Sequence, residues 1–195
     1  MTNMLKFCRS SLLGLSAAMA VSIIPLATLV PPTIANSEQI ASQFTTFRSP
    51  ASFPIRFSIQ YPLDWTVDTS HQNYIIITNY QADGSRSLTP DQAIKTDISI
   101  DQKSLESIVQ RSQGSHDESG SRVIRRGRIN LGGRDGFRLW TTDSLFDFPD
   151  TITTYLRYTD TQTIVIVSFY TASNPTAVPL IQRIHGSFRL MTPQQ

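Results

Sequence analysis

Apolar and polar residues alternate over much of the chain between Phe53 and Tyr170. A period of two is typical of β-strands that bury one face, because successive side chains of a strand point to opposite sides. The first such segment places Phe53, Ile55, Phe57 and Ile59 on one face. Alternation, together with β-branched and aromatic residues, predicts further strands over 74–78, 94–101, 123–131, 136–142, 151–158 and 163–170.

The last four of these strands are predicted to pair as two hairpins. Gly132 and Gly133 separate the arms of the first hairpin, and glycine readily adopts the positive φ angles that a tight turn needs. A polar turn over 159–162 separates the arms of the second hairpin. Because hairpins join neighbouring strands, we expect an antiparallel sheet.

Two helices are predicted beside the sheet. Leu105, Ile108 and Val109 have the spacing of one helical face and follow Ser104, a residue type that caps helix N-termini. A closing helix is predicted from a second apolar stripe, formed by Leu180, Ile181, Ile184 and Phe188. This order of elements predicts the α+β class, with an antiparallel β-sheet flanked by a few helices.

The N-terminal segment has the order of a signal peptide. Lys6 and Arg9 precede a nearly continuous apolar stretch over 12–30, and the small residue Ala35 precedes a polar sequence. We predict cleavage after Ala35. An uncleaved anchor is the alternative, because the apolar stretch approaches the roughly 20 residues that span a bilayer. Either way, the rest of the chain is predicted to be exported.

The remaining sequence is divided by composition. Residues 1–35 are the predicted signal peptide, and residues 36–50, rich in Ser, Thr and Gln, are a predicted flexible lead-in. Residues 51–190 have the length of one domain, and residues 191–195 form a short C-terminal tail.

Charge and cysteine content exclude several function classes. The formal net charge of the full chain is +2, and both basic residues of the signal peptide, Lys6 and Arg9, contribute to it. Without them, 15 basic residues balance 15 acidic ones. This neutrality gives no argument for nucleic-acid binding. Because Cys8 is the only cysteine, the mature domain is predicted to lack disulfides, cysteine-ligated zinc and thiol catalysis.

Three short motifs, in this order of elements, carry a family resemblance. They are the segment 57–65 (FSIQYPLDW), the hairpin segment 133–137 (GRDGF) and the closing segment 184–189 (IHGSFR). Together they resemble the PsbP-like family over roughly residues 51–190.

The resemblance implies a fold and a role. The fold is an α/β/α sandwich, which a Ran-binding nuclear import factor shares. PsbP is an extrinsic subunit on the lumenal face of photosystem II, and its relatives mostly assist the assembly or stability of thylakoid complexes. The resemblance therefore implies a non-enzymatic binding module in the thylakoid lumen or periplasm, soluble after signal cleavage and monomeric, which binds a membrane protein complex.

The most concentrated candidate site is basic. Six arginines fall on the first predicted hairpin: Arg122, Arg125, Arg126, Arg128, Arg134 and Arg138. Such a surface can dock an acidic partner or contact anionic lipid head groups. The alternative interpretation is a solvated outer face, partly neutralised by Asp117, Glu118 and Asp135.

Other candidate chemistry is weaker, and we predict no catalytic, cofactor or metal site. His71, His116 and His185 lack the spacing of zinc ligands and are interpreted as scattered surface histidines. Two alternatives to a binding module remain open. One is a carrier of a small apolar ligand, which would need a pocket between sheet and helix. The other is a hydrolase, which would need Ser, His and a carboxylate within hydrogen-bond reach.

Acidic and aromatic residues offer two further candidate sites. Asp143, Asp147 and Asp150 surround apolar residues in a predicted loop, but they lack EF-hand spacing and are interpreted as solvated carboxylates. Trp65 and Trp140 can anchor interfaces, although filling the core is the commoner role of such residues.

Overall fold

The structure, a computed structural model, describes residues 44–80, 91–117, 120–143 and 148–191. All of them belong to the compact unit Asn36–Gln195. The predicted signal peptide, residues 36–43 of the lead-in and residues 192–195 of the tail lie outside this part of the chain. None of the helices that it contains is both long enough and apolar enough to cross a bilayer.

Ten strands and two helices are present in the described ranges. In chain order they are β1 (Phe44–Arg48), β2 (Phe57–Pro62), β3 (Thr66–Asp68), β4 (Tyr74–Thr78), β5 (Lys95–Asp101), α1 (Leu105–Arg111), β6 (Arg122–Leu131), β7 (Arg134–Thr142), β8 (Asp150–Arg157), β9 (Thr163–Tyr170), α2 (Ala177–Gly186) and β10 (Arg189–Leu190).

The strands form two antiparallel sheets. The larger has seven strands in the order β3-β4-β5-β9-β8-β7-β6, and the smaller has three in the order β1-β2-β10. The predicted class, α+β with an antiparallel sheet and a few helices, is confirmed. Both hairpins are confirmed as well, with φ angles of +59° at Gly132 and +77° at Gly133 in the first turn.

Each helix packs its apolar residues into a different core cluster. Ile181 and Ile184 of α2 share a large cluster with Ile152 and Leu156 of β8. Leu105 of α1 shares a smaller cluster with residues of β7 that include Phe137 and Leu139, next to Tyr155 of β8. Tyr155 and Leu156 are successive residues of β8, so their side chains point to opposite sides of the sheet. The two clusters therefore lie on opposite faces.

The start of α1 was correctly predicted. Ser104 is the N-cap residue, and its Oγ accepts a hydrogen bond of 3.2 Å from the backbone N–H of Ser107.

The prediction of a strand that begins at Phe53 is wrong for the first half of that segment. Residues 51–56 form turns and bends, and β2 begins only at Phe57. Ser49 explains the difference, because its Oγ donates to the carbonyl of Ile55 (2.9 Å) and accepts from the N–H of Phe57 (3.0 Å). Phe53 and Ile55 are nevertheless buried. The alternation of apolar residues therefore indicated which side chains are buried, although the backbone of residues 51–56 is not a strand.

Both ends of the domain differ from the prediction. Phe44–Arg48, which was assigned to the flexible lead-in, forms β1 and pairs antiparallel with β2. Phe47 holds it against the core, with its ring 6.0 Å from that of Phe57. At the other end α2 stops at Gly186, and Arg189–Leu190 pairs with β2 as β10. Met191, predicted to begin the tail, donates to the carbonyl of Arg56 at 2.9 Å.

Candidate functional site: the arginine hairpin

The hairpin of β6 and β7 carries all six predicted site residues, and we call it the arginine hairpin. Its register divides them between two faces. Residues opposite each other in a strand pair share a face, and Arg125 is opposite Trp140 whereas Arg126 is opposite Leu139. The face that carries α2 therefore includes Arg122, Arg125, Arg134 and Arg138, and the face that carries α1 includes Arg126 and Arg128.

A β-bulge produces part of this division. The register shifts between Val123 and Arg125, so that Ile124 is an extra residue with 57% of its surface exposed. Arg126 and Arg128 share a strand face, as their spacing predicts. The six arginines do not form one continuous face, because Arg125 and Arg126 are successive residues of one strand and point to opposite sides. The side on which Arg122 lies depends on the bulge, which has no clear sequence signature.

Arg126 has a structural role that the sequence analysis missed. Its Nη1 donates hydrogen bonds to the carbonyls of Ser112 and Gly114, the latter at 2.9 Å. These carbonyls lie at and just beyond the C-terminal end of α1, where helix carbonyls lack partners within the helix. Arg126 is therefore a helix-capping residue.

Three other arginines have different surroundings. Arg122 Nε forms an ion pair with Asp143 at 3.0 Å, in which both side chains are exposed. Arg134 Nη1 donates to the carbonyl of Arg157 at 3.3 Å. Arg128 acts on Glu106 at longer range: the pKa of Glu106 is held below its ordinary value mainly by a hydrogen bond from Arg157, with a smaller contribution from the charge of Arg128.

Arg125 and Arg138 flank one aromatic ring on the face that carries α2. The guanidinium of Arg125 lies 4.7 Å from the ring centroid of Trp140, and that of Arg138 lies 5.9 Å from it. Trp140 is only half-buried, whereas Trp65 fills the core with 8% exposure, as predicted. Burial, and then the neighbouring charge of Arg125, lower the pKa of Arg138. Neither arginine forms an ion pair with any described residue.

A chain of buried hydrogen bonds continues from Arg138 into the core. Arg138 Nε donates to Thr154 Oγ1 at 2.9 Å, and Thr154 Oγ1 contacts His185 Nδ1 at 2.9 Å. His185 Nε2 lies 2.9 Å from Ser168 Oγ, which lies 2.7 Å from Thr96 Oγ1. We call these five residues the buried polar chain.

The direction of the chain follows from its first donor. Arginine has no acceptor, so Thr154 Oγ1 accepts from Arg138, and His185 Nδ1 is the one acceptor that the described residues offer to the hydrogen of Thr154. His185 then carries its proton on Nε2 and donates to Ser168. The neutral imidazole is favoured because burial, and then the charge of Arg138, lower the pKa of His185 to about 3.

His185 contradicts the interpretation of the histidines as surface residues, since its exposure is 0%. It forms a serine–histidine pair with Ser168, yet Ser168 is also fully buried. The remaining nitrogen of the imidazole meets Thr154, and no carboxylate among the described residues hydrogen-bonds to it. The arrangement needed for a hydrolase is therefore not assembled in this part of the chain.

Two of the three aspartates that could surround a cation have partners within the protein. Asp143 pairs with Arg122, and Asp147 lies outside the described residues. Asp150 is buried, not solvated: it accepts from Thr142 Oγ1 at 2.7 Å and from the backbone N–H of Ala172 at 2.8 Å. Within the four described ranges, no three His, Cys, Asp or Glu side chains are grouped so as to hold a metal.

The carrier alternative gains no support from the packing. Ile152, Ile164, Ile166, Ile181 and Ile184, which meet between the sheet and α2, all have 0% exposure. One cavity of about 240 Å³ lies elsewhere, between the loop after β1 and the β3–β4 turn. Its lining is Pro50, Ser52, Phe53, Thr69, Ser70, His71, Gln72 and Ile75. This mixed, largely polar lining does not suit an apolar ligand.

Comparisons with known proteins show a shared fold. No protein-family model and no curated protein matches the chain. Among solved structures, LpqN of Mycobacterium tuberculosis, which is involved in cell envelope biogenesis, is similar with 10% identity and a TM-score of 0.50. The match covers 83% of this chain and 100% of LpqN. At this identity the likeness concerns the fold alone.

Two further structures are similar at lower scores. The cyanobacterial PsbP, CyanoP, of Synechocystis sp. PCC 6803 has 11% identity and a TM-score of 0.46, over 76% of this chain and 93% of its own. A protein of unknown function from Pseudomonas aeruginosa, PA94, has 13% identity and a TM-score of 0.44, over 78% and 99%. A PsbP is thus among the structural neighbours, but the likeness is not specific to the PsbP-like family.

Proposed function

We propose that this chain is an exported, non-enzymatic accessory protein that docks on a membrane protein complex through the arginine hairpin. The complex is reached from the lumenal or periplasmic side, and the PsbP-like sequence motifs favour a photosynthetic complex, with a role in its assembly or stability. LpqN, which shares the fold, is involved in cell envelope biogenesis. This supports the coarser proposal of an accessory protein that works outside the cytoplasm.

One observation carries the proposal: positive charge on the arginine hairpin is largely unneutralised. Of its six arginines, only Arg122 forms an ion pair with a described residue. The mature chain is neutral overall, so this surface is a local excess of positive charge. Such a patch attracts an acidic surface and orients it during encounter.

The experiment is the recovery of a complex from solubilised membranes with tagged protein at low and at raised salt. We expect the double variant Arg125→Gln/Arg128→Gln to lose most of the recovery at low salt, because both residues are exposed on the edge strand and neither caps a helix. Raised salt should weaken recovery by the unsubstituted protein, since screening reduces attraction between exposed charges.

The matched control is Arg48→Gln/Arg56→Gln. It removes the same two charges from exposed positions beside the smaller sheet, with no described ion pair at either residue. Equal recovery by both double variants would contradict docking through the arginine hairpin. No recovery of any complex at low salt would contradict the accessory role itself.

A further inference from the structure

A niche lies between Arg125 and Arg138 on the face of the sheet that carries α2. Gly127 occupies the position opposite Arg138, so no side chain fills the space there. A Cβ atom at Gly127 would have no atom within 4 Å, which shows that the space is open. We call this space, bounded by Arg125, Gly127, Arg138 and Trp140, the Gly127 niche.

The charges around the Gly127 niche have no counter-ion among the described residues. Arg138 is partly buried, and two like charges near each other are unfavourable where water is partly excluded. Burial, and then the charge of Arg125, lower the pKa of Arg138 from its ordinary value. Because no described carboxylate pairs with either arginine, an anion from another molecule can stabilise both.

The donors are arranged for a planar anion. Arg138 already uses Nε to hold Thr154, so its two terminal nitrogens remain for a ligand. A pair of guanidinium N–H groups matches the two oxygens of a carboxylate. Both guanidinium groups lie near the ring of Trp140, at 4.7 and 5.9 Å from its centroid, and therefore near each other.

The niche is also accessible to a protein segment. Strand β6 is at the edge of the seven-stranded sheet, and its outer side meets only the bridge between His116 and Arg122 in the described residues. The edge beside Gly127 is therefore open to an extended chain, whose alternating side chains would reach the same face at every second residue.

We propose that the Gly127 niche binds a carboxylate side chain from an extended acidic segment of the docking partner. The inference rests on the proposed function, because it names the chemistry by which the partner is recognised. Charge complementarity, the paired nitrogens of Arg138 and the open strand edge together select this occupant.

The first test places a carboxylate in the niche within the protein itself. Gly127 lies outside the positive-φ region, so its backbone accepts a side chain. At low salt, Gly127→Glu should unfold at a temperature about 2–4 °C above that of Gly127→Gln, because only the glutamate neutralises the two arginines. Adding Arg125→Gln should reduce this difference. Equal unfolding temperatures for the Glu and Gln variants would overturn the proposal.

The second test measures binding through tryptophan fluorescence, since Trp140 borders the niche. The probe is a blocked peptide of alternating glutamate and serine, and the control peptide has glutamine for glutamate. We expect the glutamate peptide to bind, and Kd to rise about tenfold or more in Gly127→Glu and in Arg125→Gln, with no change in Arg48→Gln. Unchanged binding by Gly127→Glu would overturn the proposal.

Two further probes separate carboxylate recognition from general anion binding. Inorganic phosphate and vesicles of phosphatidylglycerol should bind more weakly than the glutamate peptide and show less dependence on Gly127. If phosphate or the vesicles bind as tightly as the peptide or more tightly, and depend on Gly127 to the same degree, the niche recognises a phosphate group. That result would overturn the proposal. If Gly127→Glu still recovers the membrane complex while Arg125→Gln/Arg128→Gln does not, the accessory function stands and the niche is not its docking point.

Discussion

At the scale of single residues, His185 is a polar residue on the otherwise apolar, buried face of α2. It lies one turn after Ile181 on α2 and next to Ile184, so it continues the buried stripe that the sequence predicts for this helix. Its burial could have been predicted from this spacing. Its partners could not, because Thr154 and Ser168 come from two different strands and only their register brings them to one imidazole.

The burial of His185 predicts a stability that falls in acid. Its folded-state pKa, about 3, lies below the ordinary value of 6.5, so the unfolded chain binds more protons between these values. The stability is therefore fully present above about pH 6.5 and is lost as the pH falls toward 3. From pH 7 to pH 5 we expect His185 to account for a loss of about 2 kcal/mol in the free energy of unfolding.

Urea unfolding at both pH values tests this expectation, with His185→Gln as the variant. The variant should be less stable at pH 7, because it breaks the buried polar chain, but its stability should change less between pH 7 and pH 5. His71→Gln is the control for the loss of a histidine that is not buried. An identical pH dependence in all three proteins would show that His185 does not contribute it.

At the scale of elements, α1 illustrates how a short helix is held. Its seven residues are too few for stability in isolation. Ser104 satisfies its N-terminus and Arg126 its C-terminus, while Leu105 anchors it to the sheet. The Ser104 cap was visible in the sequence because it is local. The Arg126 cap was not, because it crosses from a strand that is separate in the chain.

Arg126 and Arg128 therefore form a matched pair, on the same strand and the same face. Arg126→Ala should lower the free energy of unfolding by about 1–2 kcal/mol, since it leaves two carbonyls without their charged donor. Arg128→Ala, which removes no hydrogen bond within the described residues, should change it by less than about 0.5 kcal/mol. Chemical unfolding measures both values, and equal losses would contradict the capping role.

The same contrast between local and distant signals explains which strands were predicted. Strands β4 to β9 have long alternating or β-branched segments, and their hairpin turns are encoded by neighbouring residues. Strands β1 and β10 have five and two residues, and both depend on pairing with β2 for their backbone hydrogen bonds. Their sequences alone hold too little pattern to distinguish them from loops.

At the scale of the whole molecule, β1 extends the domain into residues 44–48, a segment whose composition predicted a flexible lead-in. We expect a chain that begins at Ala51 to be less stable than one that begins at Asn36, by about 2 kcal/mol or more, because it loses the partly buried Phe44 and Phe47. Thermal and urea unfolding of the two chains provide the comparison. Coincident unfolding curves would show that β1 adds nothing to the fold.

The distribution of charge is also a property of the whole molecule. Residues 36–195 carry 15 basic and 15 acidic residues, so their composition could not reveal a basic surface. The hairpin arginines were visible as a cluster, but the side on which Arg122 lies required the bulge, and the residues opposite each arginine required the register of β6 with β7. The sequence thus placed the six arginines on one hairpin and left the surroundings of each undetermined.

The buried polar chain has a consequence that reaches across the sheet. Every hydroxyl in it has a single proton to give, and the one member that can never accept is Arg138. The hydrogen of Thr154 therefore cannot point toward the rim, and among the described residues His185 Nδ1 is the one acceptor within its reach. A cation at the water boundary thus helps to select which nitrogen of a fully buried imidazole carries the proton.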